Sequence, residues 1–308
     1  MGRPNVGKST LLNALLGRKV AIVSPHPQTT RTHLLGIYNT PPGASPRGQI
    51  VFVDTPGLHR SATPMNREML RQARQALEGR DLTLLMVDVT RAPGAEDAYA
   101  AQMLDAGQEE GGEAGAAAGG GTPPVILVLN KVDRLADKRA LLPLLERYRQ
   151  QNRYAAIVPI SARSGEQLGV LVEEILRLLP SGPAYFPAEQ STDQPEEFFA
   201  AELIREQALR LTREEVPHAL AVAIERFEPG PRARIEAVLY CEREGQKAIL
   251  IGRRGEMIRQ IGAAARAEIE RELPHLGPRL FLGLRVEVRP RWRADAAFLR
   301  RLDWRGES

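Results

Sequence analysis

The sequence predicts an α/β protein with two domains in series: a mostly parallel sheet covered by helices, then a smaller α+β domain. Three observations carry this. Short apolar runs alternate with helical patterns up to about residue 179. A stretch rich in Pro, Ser and Gly (PSGPAYFPAEQSTDQP) then breaks the pattern. Beyond it the apolar spacing changes and ends in a cleanly alternating strand. A length of 308 residues accommodates two domains of ordinary size. We place the first at 1–180, a linker at 181–195 and the second at 196–308.

In chain order, residues 8–16 (KSTLLNALL) have helical apolar spacing. The apolar runs at 34–38, 50–54, 82–88, 125–130 and 156–160 read as strands, with helical patterns at 65–78, 137–151 and 166–179. Near-continuous apolar strands indicate a sheet buried on both faces. Residues 107–122 (GQEEGGEAGAAAGGGT) have no periodicity and little to bury, and read as a disordered surface insert. In the second domain 196–213 reads as a helix, and 219–227 and 234–242 as strands. Ile258, Ile261, Ala265, Ile269 and Leu273 then mark one face of a helix. Leu280, Leu282, Leu284, Val286 and Val288 alternate with other residues as in a half-buried strand of an antiparallel or mixed sheet. The final RWRADAAFLRRLDW reads as a helix with exposed arginines.

Composition narrows the class. Apolar residues make up 43% and charged residues 26%, the balance of a soluble globular protein. No apolar run is long enough to span a bilayer, and no secretory leader pattern is present. The single cysteine, Cys241, lies in an apolar alternating run and reads as a small core residue. The net charge is +4, with 15 basic against 8 acidic residues between Arg243 and Arg305, so the basic excess gathers near the C-terminus, as in a nucleic-acid-binding face. Only Lys8, Lys19, Lys131, Lys138 and Lys247 are lysines among 42 basic residues, so a lysine inside a motif is informative.

Gly2, Arg3, Pro4, Asn5, Val6, Gly7, Lys8 and Ser9, followed by Thr10, form a complete G-x-x-x-x-G-K-S phosphate loop. Its main-chain N–H groups suit phosphate oxygens, Lys8 suits the β/γ-phosphates, and the Ser9 hydroxyl suits Mg²⁺. Asp54, Thr55, Pro56 and Gly57 follow the IVFV strand, placing a carboxylate where it can hold Mg²⁺ through water and an N–H near a γ-phosphate. Asn130, Lys131 and Asp133 follow the VILVL strand. The Asp133 carboxylate matches the paired N1–H and N2–H₂ donors of guanine, which adenine lacks, and Lys131 can lie along the base. Ser161, Ala162 and Arg163 end the IVPI strand and offer a main-chain N–H to guanine O6. These sites in this order at strand ends argue a guanine-nucleotide site.

KAILIGRRGEMIRQIG carries the second signal. We read an apolar strand end, then Gly252, Arg253, Arg254 and Gly255, then an amphipathic helix. That is the G-x-x-G pattern of a KH domain, where glycines admit the nucleic-acid backbone and arginines supply phosphate charge. Lys247 adds charge on the approach.

GRPNVGKST, QTTR, DTPG, NKVD, SAR and EREGQKAILIGRRG together resemble the translation-factor-related GTPases, and the Era family in particular, over essentially the whole chain. The resemblance implies a P-loop GTPase domain followed by a type II KH domain, with GTP/GDP and Mg²⁺ as ligands and slow hydrolysis coupled to a switch. It implies 16S ribosomal RNA near its 3′ end as partner, within small-subunit assembly. It further implies a monomeric, cytoplasmic protein with peripheral access to the inner membrane. Gln28, Thr29, Thr30 and Arg31 match the first switch, Thr30 being the Mg²⁺ ligand by its spacing from Ser9. Leu58 stands where Ras-like proteins carry a water-orienting Gln, with His59 beside it as an ordinary loop residue. In relatives with that substitution a phosphate-loop Asn helps hold K⁺, and Asn5 matches it.

Only Met1 precedes the phosphate loop, where this architecture places a central strand between the DTPG strand and that at 82–88. We expect Met1 to be an internal or mis-assigned start, about ten upstream residues to belong to the working enzyme, and the chain without them to carry a slot of unpaired main chain. The alternative reading is an RNA-binding protein whose nucleotide domain is impaired.

Overall fold

The computed structural model describes residues 1–24, 26, 33–55, 57, 71, 79–109, 122–212, 216–230 and 232–302. They divide into two compact units, the first within residues 1–193 and the second comprising 194–302 together with 22–24. No helix of the described residues is long and apolar enough to cross a membrane.

The first unit begins with the phosphate loop and α1 (Lys8–Leu16), which buries Leu11, Leu12 and Leu15 and ends at Gly17 in the left-handed conformation (φ 63°) that favours glycine at a helix stop. An antiparallel pair follows, β1 (Leu34–Asn39) and β2 (Gln49–Asp54). The rest is parallel: β3 (Thr83–Asp88), α2 (Ala95–Glu109), β4 (Val125–Asn130), α3 (Leu141–Arg149), β5 (Ala156–Ile160) and α4 (Leu168–Leu178), with strand order β3-β4-β5. Every residue of β4 is buried, as its apolar run VILVL requires, and the strand ends on the buried Asn130. Asp88 and Asn130 are register partners, so β3 and β4 end level with each other.

The helix α2 was missed in the sequence, where Gly107 and its neighbours were assigned to the insert; the main chain is helical through Glu109, and 110–121 lie outside the described residues. AEDAYAAQML has good helix formers, but its small alanines give little contrast between the faces. The helix expected at 65–78 falls almost wholly outside the described residues.

Among the described residues β2 and β3 do not pair, and a cavity of about 370 Å³ lies between them, lined by Ile50, Phe52, Leu84, Met86, Leu11 and Leu15. Met1 enters it: its α-ammonium donates to Leu84 O at 2.6 Å, and Met86 N–H donates to Met1 O at 2.9 Å.

Residues 185–193 lie along β1 and β2 in the first unit. Gln49 Oε1 accepts from the N–H groups of Tyr185 and Phe186 (2.9 and 3.0 Å), Ile37 N–H donates to Ser191 O (2.9 Å), and Leu35 N–H to Asp193 Oδ1 (3.0 Å).

The second unit contains α5 (Glu196–Leu211), α6 (Val216–Ala219), β6 (Ala221–Glu228), β7 (Arg234–Cys241), α7 (Glu244–Ile251), α8 (Glu256–Glu272), β8 (Phe281–Val288) and α9 (Ala296–Leu302). β6 and β7 are antiparallel, and β7 and β8 parallel, a mixed sheet. The apolar faces anticipated for α8 and β8 meet one core, where Ile261, Ala265 and Ile269 pack with Val286 and Leu284. Cys241 is fully buried there, and burial pushes its thiol pKa up. Trp292 is also fully buried and donates Nε1–H to Ala219 O at 2.9 Å. Ile22 joins this core, and Val23 N–H donates to the buried Glu206 carboxylate on α5 at 3.0 Å.

One expectation fails here. KAILI is not a strand end but the close of helix α7. A four-residue apolar run (AILI) fits either period, and the start signal decides: Gln246 Oε1 accepts from the N–H groups of Glu242 and Arg243 (2.9 and 3.1 Å), satisfying donors that a strand would have paired.

Candidate functional site

Five chain segments meet at the C-terminal ends of β2, β3, β4 and β5. The phosphate loop is seated by its glycines. A Cβ on Gly2 (φ 148°) would lie 2.6 Å from Met86 O, and one on Gly7 (φ 106°) would lie 2.3 Å from Asn130 Nδ2. Val6 is fully buried, and its carbonyl accepts from Asn130 Nδ2 at 2.7 Å. The Lys8 ammonium folds back onto the carbonyls of Gly2 and Arg3, at 3.2 Å each. Burial pushes its pKa down and the charge of Asp54 opposes this, so an incoming phosphate meets a desolvated cation.

Ser9 Oγ donates to Asp54 Oδ2 at 2.9 Å, bringing together the hydroxyl and carboxylate assigned to Mg²⁺. Both are hard oxygen donors, the set Mg²⁺ takes, so the residues present fit the ion. Thr10 lies in the first turn of α1, and Thr55 is buried beside Asp54. Gly57 packs on the phosphate loop, where a Cβ would stand 3.0 Å from Pro4 Cα. Pro56, Leu58 and His59, with Gln28, Thr29, Thr30 and Arg31, lie outside the described residues.

On the base side Asn130 ties three elements. Besides its bond to Val6, its Oδ1 accepts from Ala162 N–H at 3.0 Å. Asp133 Oδ1 accepts from Ser161 Oγ at 2.7 Å, which orients the carboxylate, while Arg163 is exposed. Lys131, at φ 73°, sends its ammonium to Asn5 O and Asp88 Oδ2, both at 2.7 Å. Burial pushes the Asp88 carboxyl up, but hydrogen bonds from Lys131 and Thr90 outweigh it and hold the group below the usual carboxylate range.

Asp88, Thr90 and Asp97 were not anticipated. The available signal was that β3, like β2 and β4, runs an apolar stretch into a polar residue at the same end.

The second unit carries the other site. Gly252 (φ 71°) has its Cα hydrogens against Met257, where a Cβ would lie 2.7 Å from Met257 Cβ and 2.8 Å from its N. Arg254 (φ 53°) and Gly255 (φ 76°) are also left-handed, turning the chain into the N-terminus of α8. Arg253 and Arg254 are exposed, and Lys247 stands on α7 one turn before the loop. Arg259, not singled out in the sequence, donates to Gly255 O and Arg254 O at 3.1 and 3.0 Å, bracing the turn from α8.

A Gly-rich phosphate loop and a guanine-type base pocket on a parallel sheet, with a G-x-x-G turn in a separate mixed-sheet unit, define a P-loop GTPase joined to a KH domain. Residues 1–131 match the family model described as a 50S ribosome-binding GTPase, and 215–293 that of the KH domain. The chain is 47% identical over 303 residues to GTPase Era of Stenotrophomonas maltophilia, covering 97% of this chain and 94% of that one. It is 43% identical over 307 residues to GTPase Era of Geobacter metallireducens, covering 99% and 95%. In structure it is similar to Era in complex with MgGDPNP and nucleotides 1506–1542 of 16S ribosomal RNA (38% identity, TM-score 0.87, covering 98% of this chain and 96% of that one). It is equally similar to a variant of Aquifex aeolicus Era bound to GDP and AlF₄⁻ (38% identity, TM-score 0.88, with 98% and 96% covered). The chain belongs to the Era family of GTPases.

Proposed function

We propose that this protein is a GTP-hydrolysing switch that binds small-subunit ribosomal RNA near its 3′ end and assists assembly of that subunit. One observation carries the reading: among the described residues the phosphate loop meets the ends of β2, β4 and β5, in the same chain that presents an exposed, arginine-bearing G-x-x-G turn. The RNA complex of the similar Era structure supports the choice of partner.

In this reading the phosphate loop and Lys8 bind the β/γ-phosphates, and Asp133 with Lys131 selects guanine. Ser9, Thr30 and, through water, Asp54 hold Mg²⁺, which when bound neutralises charge on the phosphates. Leu58 has no group to orient a water, so intrinsic hydrolysis is slow, and Asn5 holds K⁺ beside the phosphates. Arg253, Arg254 and Lys247 meet RNA phosphates while Gly252 and Gly255 admit the backbone. Nucleotide state sets the geometry between the two domains and hence the affinity for RNA. The protein acts as a monomer in the cytoplasm, with peripheral access to the inner membrane.

The cavity between β2 and β3 favours the second reading, an RNA-binding protein with an impaired nucleotide domain. GTP turnover with Mg²⁺, in K⁺ and in Na⁺, separates the two. The switch reading expects slow turnover stimulated by K⁺ in the unaltered protein, and no stimulation in Asn5→Ala. Absence of GTP binding, with a 16S 3′-end RNA still bound, would establish the second.

A further inference from the structure

Asp88 is the last residue of β3, its side chain 7% exposed, and both cations beside its carboxylate belong to the nucleotide motifs. Its Oδ1 accepts from Thr90 N–H (3.0 Å) and the Thr90 hydroxyl (2.6 Å), which fixes the rotation of the carboxylate. Its Oδ2 takes the Lys131 ammonium at 2.7 Å and stands 3.8 Å from the Arg3 guanidinium. Lys131 donates also to Asn5 O, and Arg3 pairs with Asp97 at 3.3 Å. One carboxylate thus lies between a cation from the base motif and a cation from the phosphate loop. Without its charge the Lys131 ammonium would lose its anionic partner, while Arg3 would still have Asp97.

The main chain does not fix the Lys131 side chain by itself. Its left-handed conformation (φ 73°) is one few non-glycine residues adopt, and four methylenes separate the main chain from the ammonium. What holds the stem in place is the pair of bonds at its tip, one from the phosphate loop and one from Asp88.

We propose that Asp88 is a positioning residue for the guanine nucleotide: it holds the Lys131 ammonium against the phosphate loop so that the lysine stem lies along the purine face. This rests on the reading of Lys131 as the residue beneath the base.

Dissociation of fluorescently labelled GDP, followed by stopped flow for the unaltered protein, Asp88→Asn, Lys131→Ala and the double variant, tests it. Asp88→Asn should release GDP about tenfold faster, the scale of one lost hydrogen bond to a charged group. Lys131→Ala should release it at least as fast, and the double variant no faster than Lys131→Ala alone. Asp88→Glu, keeping the charge, should recover part of the loss. An equal acceleration by Asp88→Asn in the presence and absence of Lys131 would make Asp88 a structural residue only and overturn the proposal. So would Asp88→Asn with unaltered release while Lys131→Ala is fast. Unaltered release from Lys131→Ala would instead overturn the reading of Lys131, and the proposal with it.

Discussion

The two sites are built by opposite strategies. The nucleotide site gathers Lys8, Asp54, Asp88, Asn130 and Ser161 from strand ends and loops far apart in sequence, and the bonds that tie its segments together reach across as many as 126 residues. The RNA turn is local: Gly252 to Gly255 and the bracing Arg259 lie within eight residues. A site made of long-range bonds depends on the whole sheet, whereas a local turn depends on two helix ends. Injury to one should therefore spread through its unit, and injury to the other should stay where it is made.

The contrast can be broken by experiment. The largest effect expected is from Lys8→Ala, which removes a partly buried cation from the phosphates: GTP turnover should fall about 10²–10³-fold, the scale for losing one charge-stabilising group, with RNA affinity in a nucleotide-free filter assay unaltered. A parallel loss of RNA binding would show that the sites are not separable. Next is Gly252→Ala, which forces a Cβ against Met257; a destabilisation of about 1–3 kcal/mol confined to the KH unit is expected by thermal melting. Arg253→Ala with Arg254→Ala should weaken RNA binding about tenfold at moderate salt and reduce the salt slope by about two, with turnover unaltered. Ser161→Ala frees the Asp133 carboxylate from its 2.7 Å bond, and about fivefold weaker GTP binding by titration calorimetry is expected, the scale of one hydrogen bond.

The smallest effect is in pH. The folded Asp88 carboxyl lies below its ordinary value of 3.8, so it contributes stability that is full above that value and lost as pH falls through the lower folded value. Asp88→Asn should melt with a shallower pH dependence below about pH 4 than the unaltered protein.

Much of this was legible in the sequence for a physical reason. Phosphate and guanine chemistry demand particular residues at fixed spacing, so Gly2 to Ser9, Asp54 and Asn130 to Asp133 announce themselves. The apolar periods of α8 and β8 were equally direct, because each has a single buried face. What escaped notice lacked such contrast. The alanine-rich α2 has no sharp face, and KAILI is too short to choose between strand and helix until Gln246 caps it. Asp88 escaped because its role depends on Lys131 and Arg3, which are neighbours in space but not in sequence.

The cavity between β2 and β3 also sets the order in which the sheet gives way. β4 is paired on both sides and wholly buried, whereas β3 spends one edge on β4 and offers the other to Met1 at only two groups. Amide protons should then exchange slowest in β4 and progressively faster toward the facing edges of β2 and β3. The first opening of this fold is then expected along the seam between β2 and β3, and a ligand held by Lys8, Ser9 and Asp54 should slow exchange at that seam.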